Sequence, residues 1–136
     1  MARYTTPGTL FQININGTFT NVDGVENISG PDGDKPEIDG TALADTAAVY
    51  GDGTPDYGQV QFSVFDNPAD AGNARLLTRF NATNVTDQFK IILPFSGSGN
   101  TLAFNGFVKS WSVDLQKAAF GKYNCTVRCT GAVART

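Results

Sequence analysis

The sequence predicts a mainly β domain with one flanking α-helix at about residues 68–81 and a long acidic loop at about residues 30–58. Three features lead there. Apolar and polar residues alternate with period two through most segments. Glycine, asparagine and proline punctuate those segments where turns are needed. A helix-start signal joined to an apolar stripe occurs in one segment. At 136 residues the chain suits a single domain spanning 1–136.

Taken in order, residues 10–16 place Phe11, Ile13 and Ile15 on one face, and Asn16-Gly17 turns the chain tightly into a partner strand over 18–22. A third strand is expected at 25–29. From Gly30 to Gly58 the alternation fails amid Pro31, Gly33, Pro36, Gly51, Gly53, Pro55 and many aspartates. So long a stretch without periodicity is uncommon in a compact domain and usually functional or mobile. Within it, residues 41–48 suit a short helical turn capped by Thr41.

Alternation resumes at 59–65, and the helix follows. Asn67 is placed as its N-cap, Pro68 at its first position and Asp70 in its first turn, beside the positive end of the helix dipole. Leu76, Leu77 and Phe80 form the stripe expected to dock it on a sheet. Arg75 and Arg79 fall in the later turns, where cations are favoured. Strands are expected at 88–95, 101–115 and 123–133. Gly106 marks a bulge point, and Phe107, Lys109, Trp111, Val113 and Leu115 are assigned to one face.

Apolar residues make up 40% of the chain, which sets it among globular and not disordered sequences. No apolar run approaches the ~20 residues of a membrane-spanning helix. The N-terminus lacks a secretory apolar stretch, so synthesis in a cytoplasm is expected, and the five Asn-X-Ser/Thr sequons reflect composition and not glycosylation. Cys125 and Cys129 lie four apart in a strand, some ~13 Å between Cα atoms, too far for a disulfide. They are expected to be free thiols.

Charge is informative by position. Between Asp23 and Asp70 there are eleven acidic residues and one base, Lys35, a net −10. The remainder holds two acids and nine bases, a net +7. The split fits either a solvated acidic loop or a subunit with one face complementary to another face of its copy.

No catalytic constellation is present. The chain has no histidine to serve as general base or metal ligand. Neither cysteine has an activating partner in the sequence, and no phosphate-loop or dinucleotide motif occurs. Carboxylate pairs such as Asp32/Asp34 and Asp52/Asp56 sit among glycines, as solvated loop acids do. Sparse, outnumbered cations predict low phosphate affinity, and Trp111 and the phenylalanines at period two read as core. No enzyme activity, cofactor or metal is expected.

Several segments in order resemble the major tail tube family of long, non-contractile bacteriophage tails. They are Val25-Glu26-Asn27-Ile28-Ser29-Gly30-Pro31, Ile38-Asp39-Gly40-Thr41-Ala42-Leu43-Ala44-Asp45-Thr46, Asp56-Tyr57-Gly58-Gln59-Val60-Gln61-Phe62, and Phe65-Asp66-Asn67-Pro68-Ala69-Asp70. Phe104-Asn105-Gly106-Phe107-Val108-Lys109-Ser110-Trp111 and Thr130-Gly131-Ala132-Val133 complete the set. Gly51-Asp52-Gly53-Thr54-Pro55 departs from it, since the family is more hydrophobic there.

The resemblance implies a tail-tube-type β-sandwich or barrel without the immunoglobulin-like domain of some relatives. Such subunits associate into rings, usually hexameric, that stack head to tail around the channel for genome delivery. It also implies a place in the virion tail, assembly in the bacterial host cytoplasm, and no membrane anchor. Implied partners are further copies of the chain and the tape measure, tail terminator and tail tip proteins. Double-stranded DNA would pass through the lumen without specific binding.

Combined with the charge split, this makes Asp32, Asp34, Glu37, Asp39, Asp45, Asp52 and Asp56 candidates for an inter-ring loop. Lys109, Lys117, Lys122 and Arg128 are the candidate basic counterparts. The loop is expected to be disordered until it stacks. Rival readings are a carbohydrate-binding or adhesin-like β-sandwich presenting Tyr50 and Tyr57, and the tube of a contractile or type VI injection machine. A small hydrolase using Asp52 and Asp56 trails them.

Overall fold

The computed structural model describes residues 3–136. Among them the chain forms β1 (Leu10–Ile15), β2 (Thr18–Asn21), β3 (Val25–Ser29), β4 (Glu37–Asp39), β5 (Tyr50–Asp52), β6 (Gln59–Phe65), α1 (Ala71–Asn81), β7 (Asp87–Ile92), β8 (Thr101–Asp114) and β9 (Lys122–Arg135). Seven strands make one antiparallel sheet in the order β2-β1-β7-β8-β9-β6-β3, and β4 pairs with β5 apart from it. The β1–β2 turn is the expected Asn-Gly pair. Asn16 and Gly17 both take positive φ, 50° and 90°, and the Asn14 side chain accepts a hydrogen bond from the Gly17 N–H at 2.8 Å.

The sheet does not lie flat. β1 and β6 stand four strands apart in its order, a separation of roughly 19 Å at ~4.8 Å per strand in a flat sheet. Yet the rings of Phe11 on β1 and Phe62 on β6 approach to 4.4 Å between centroids. The outermost strands, β2 and β3, are joined by residues 22–24 alone, a link that reaches at most about 14 Å. The sheet therefore rolls until its edges meet, and its concave face becomes the core. Phe11, Ile13, Val60, Phe62, Val64, Phe89, Ile91, Tyr123 and Val127 are buried there, as are the free thiols of Cys125 and Cys129. Burial pushes the Cys125 thiol up to about 12.

A polar clasp holds the corner where the edges meet. Asn73, 3% exposed, donates from its amide to the Asp23 carbonyl (3.2 Å) and the Phe65 carbonyl (3.0 Å), and its Oδ1 accepts from the Tyr123 hydroxyl (2.6 Å). Asp70 accepts from the N–H groups of Asn73 (3.0 Å) and Asp23 (3.1 Å), which makes it the N-cap of α1. The helix accordingly starts later than its sequence signals suggest. Asn67 to Asp70 form a separate turn, closed by the Asp70 N–H on the Asn67 carbonyl at 3.1 Å.

The helix docks on a face turned from the expected one, which keeps Leu76 of the expected stripe and leaves out Leu77 and Phe80. Gly72, Asn73 and Leu76 are buried, whereas Leu77 and Phe80 are 37% and 39% exposed. Its first turn approaches the Asn21 carbonyl so closely that a Cβ at position 72 would collide with it. At the far end Arg79 pairs with buried Asp87 on β7 at 2.8 Å.

Two bulges in β8 flank Gly106, between Ala103 and Asn105 and between Val108 and Ser110. The second reverses the facing of the strand. Val108 pairs with buried Val127, whereas beyond the bulge Trp111 and Val113 pair with buried Cys125 and Tyr123. Phe107 and Trp111 therefore lie on opposite faces, which corrects the single face assigned from sequence.

Asn73→Ala strips the Asp23 and Phe65 carbonyls of their side-chain donor and leaves the Tyr123 hydroxyl only its longer contact with the Asn73 backbone carbonyl at 3.3 Å, and it is expected to cost roughly 2–4 kcal/mol. Tyr123→Phe removes one hydroxyl and should cost about 1 kcal/mol. Urea denaturation followed by Trp111 fluorescence reads both. Equal losses would show that the carbonyls find other donors and that closure does not depend on the amide.

Candidate assembly surfaces

Residues 31–58 form an arm and not an irregular loop. Strands β4 and β5 pair with Ile38 opposite Gly51, and Asp34 bridges to Asp56 nearer the base. Residues 41–48 are not helical. They close the tip through the Asp45 carboxylate, which accepts the Ala42 N–H, and the Thr41 hydroxyl, which accepts the Val49 N–H at 2.8 Å. Strands of three residues, Glu-Ile-Asp and Tyr-Gly-Asp, are too short for periodicity to reveal. Both are exposed throughout.

The arm is anchored at its base. The Cys129 N–H donates to the Gly58 carbonyl at 3.0 Å, and the Arg128 guanidinium meets Asp56 at 2.8 Å. Beyond that it is held by its own polar contacts, including Lys35 with Asp52 at 2.9 Å. Beyond Tyr57 at the base, its large apolar side chains stand out from the core. Ile38, Val49 and Tyr50 are about half exposed or more, and Leu43 at the tip is fully exposed.

The carboxylates of the arm are tuned by these contacts. Thr41 hydrogen bonds lower the pKa of Asp39, the Lys35 ammonium lowers that of Asp52, and the Arg128 guanidinium followed by the Gly58 N–H lowers that of Asp56. Of the basic candidates, Arg128 is thus engaged by Asp56 of the same chain, and Lys122 lies 3.5 Å from Glu26. Lys109, in the β8 bulge, and Lys117, in the β8–β9 turn, have no ion pair among the described residues.

The arm leaves the Gln59 end of β6, while Lys117 and Lys122 lie at the Phe65 end. That end also carries Asp23, Asp66, Asp70 and Asp114. The −10/+7 division along the chain therefore does not become an acidic end facing a basic one. Asp32, Asp34, Glu37, Asp39, Asp45, Asp52 and Asp56 do share the arm.

Besides β2, which pairs only with β1, two strand edges have no strand partner. β3 pairs only with β6, and residues 107–114 of β8 pair only with β9, because β7 stops opposite Gly106. The two aromatic candidates of the glycan reading separate, since Tyr50 is exposed and Tyr57 packs against the core. Asp52 and Asp56 each engage a cation. No cluster of three or more metal-ligating side chains occurs among the described residues.

No protein-family model matches the chain, and no curated protein matches it in sequence. Solved structures do match it in fold. A chain from the tail of an empty gene transfer agent particle, refined with C6 symmetry, superposes with a TM-score of 0.75 at 15% identity, over 93% of this chain and 94% of that one. The SPP1 tail tube gives 0.70 at 9% identity, over 94% and 77%. A chain of the sheath–tube complex of an extracellular contractile injection system gives 0.66 at 11% identity, over 98% and 93%. The chain has the tail tube fold.

Since the lowered pKa values lie below the ordinary 3.8, the order these carboxylates lend the arm is complete above that value. It is lost as pH falls through the lowered values. Protection of the arm amides, taken relative to the intrinsic exchange rate at each pH, is expected to fall on acidification below about pH 4 while that of the β-sheet core is kept. Arm protection that is the same on both sides of that pH would show that these carboxylates do not order it.

Proposed function

We propose that this chain is the structural subunit of a phage tail tube, assembling into rings that stack around a channel for genome delivery. The reading rests on one observation. Within the tail tube fold, strands β3, β6, β9 and β8 form a four-stranded unit whose edges lack a strand partner along β3 and along residues 107–114 of β8, and the arm projects from one end of that unit.

Neighbours in this unit are antiparallel and their number is even, so β8 of one copy meets β3 of the next in antiparallel register. Such a contact is heterologous and closes when the rotation between copies completes a circle. Six copies, as in the C6-symmetric gene transfer agent tail, would give about 24 strands. Barrels of roughly 16–18 strands already enclose an aqueous channel.

The arm then serves the second, axial contact. Its exposed ion pairs are weak and screened by salt. Burying Ile38, Leu43, Val49 and Tyr50 against a neighbouring ring would contribute more, about 1.5–3 kcal/mol for a fully buried large apolar side chain. Apolar burial therefore dominates stacking, with Lys109 and Lys117 available to the acids.

Stacked rings leave one end with unseated arms and the other with empty seats, the two chemistries that tail tip and terminator proteins would satisfy. The channel would hold the tape measure protein and then pass duplex DNA. On this reading the protein belongs to the virion tail and assembles in the host cytoplasm.

Negative-stain electron microscopy of the concentrated protein is expected to show rings or hollow tubes of uniform width that persist at high salt. Leu43→Asp should leave the melting temperature unchanged and shorten or abolish the tubes. Tubes unaffected by Leu43→Asp, or dissolved by salt alone, would remove the apolar tip from the stacking contact. Single particles that bind glycan would support a binding module instead.

A further inference from the structure

On the tube reading above, β8 of one copy meets β3 of the next, and the side chains restrict how far one strand slides along the other. Residues directly opposite in a sheet share a face, so only alternate registers are allowed. On β3, Val25 and Ile28 pack against the core and Ser29 turns away from it. On β8, Trp111 packs against the core, while Ser110, Ser112 and Asp114 turn away. Ser29 of one copy can therefore lie opposite Ser110, Ser112 or Asp114 of its neighbour.

Charge separates these three registers. Lys109, in the β8 bulge, and Lys117, in the turn beyond β8, hold no ion pair among the described residues. They lie eight positions apart. Glu26, in the β3 bulge, and Asp34, just past β3, are also eight apart. Asp34 has no ion pair among the described residues, and Glu26 has only its 3.5 Å contact with Lys122. Equal spacings coincide when strands run antiparallel. With Ser29 opposite Asp114, Asp34 comes beside Lys109 and Glu26 beside Lys117. With Ser29 opposite Ser112, Asp32 comes beside Lys109 but Lys117 falls beside Gly24. With Ser29 opposite Ser110, the two lysines fall beside Gly30 and Val22.

Strand tilt selects the same register independently. Within one copy, Ser29 and Ser110 share a rung through Gln61 and Thr126. Setting the neighbour's Ser29 opposite Asp114 staggers the copies by four residues, about 13 Å along the strands, while four strands span about 19 Å across. That ratio is a tilt of roughly 35°, within the range of closed barrels, whereas the other two registers give about 19° and none. We infer that the subunits join with Ser29 opposite Asp114, and that two ion pairs between copies, Lys109 with Asp34 and Lys117 with Glu26, fix this register.

The charge reversals Lys109→Asp and Asp34→Lys test it. Both side chains are exposed, so monomer melting temperatures should match the wild type. Each variant alone sets like charges together at every seam and should need roughly tenfold more protein to form tubes. An equimolar mixture restores opposite charges at each seam of an alternating ring and should recover the wild-type requirement. Either variant assembling like the wild type, or a mixture no better than its parts, would overturn the inference. Rescue of Lys109→Asp by Asp32→Lys in place of Asp34→Lys would set the seam two residues away, with the same consequence. If the wild-type chain forms no tubes, the tube reading itself falls.

Discussion

Everything in this fold depends on a corner only three residues long. The chain leaves one edge of the sheet at Asn21 and must begin the opposite edge at Val25. That is possible only if the sheet is already rolled, and rolling turns two backbone carbonyls, of Asp23 and Phe65, towards the interior. Asn73 satisfies both and is itself satisfied by Tyr123. A buried carbonyl without a partner would offset much of the apolar gain nearby. The first turn of the helix is consequently part of the closure and not an ornament on a finished barrel.

Closure leaves an uneven distribution of unsatisfied groups. The core consumes the apolar side chains of one sheet face, down to a run of ring contacts from Phe62 through Phe11 and Phe89 to Phe104. The backbone edges of β3 and of the later part of β8 remain open, and the arm carries apolar residues that the core never reaches. Exposed edges are a hazard in a monomer that has no use for them. A subunit that meets its own copies in two directions has a use for both features.

Much of this was legible in the residues. Period-two alternation located β1, β6 and β9, and Asn16-Gly17 named its turn, because these signals are local. The acidic segment stood out by charge and glycine content. The helix was legible in kind but not in detail. Asn67 has the composition of a cap, yet the carboxylate of Asp70 is the one that also reaches Asp23, a contact between residues 47 apart in sequence. Leu77 and Phe80 promised a buried stripe, but the close approach of Gly72 turned the helix another way. The reversal in β8 was hidden because a bulge changes facing without changing composition. Asn73 had no signal at all, since its role exists only once three distant segments converge. The charge split misled for the same reason. Distance along the chain says little about which counterions share an end of a rolled sheet.

The long strand β8 carries a mechanical consequence. Its first half is hydrogen-bonded to both β7 and β9 and its second half to β9 alone, with the facing reversed between them. The strand thus joins the two layers of the rolled sheet, β2-β1-β7 and β9-β6-β3, as one covalent rod. A load on one layer reaches the other along the backbone itself, and not through side chains that can slide. Separating the layers would require unzipping a ladder, a failure far more abrupt than the creep of a packed core, and a flexing filament built from such parts would store bending as elastic twist.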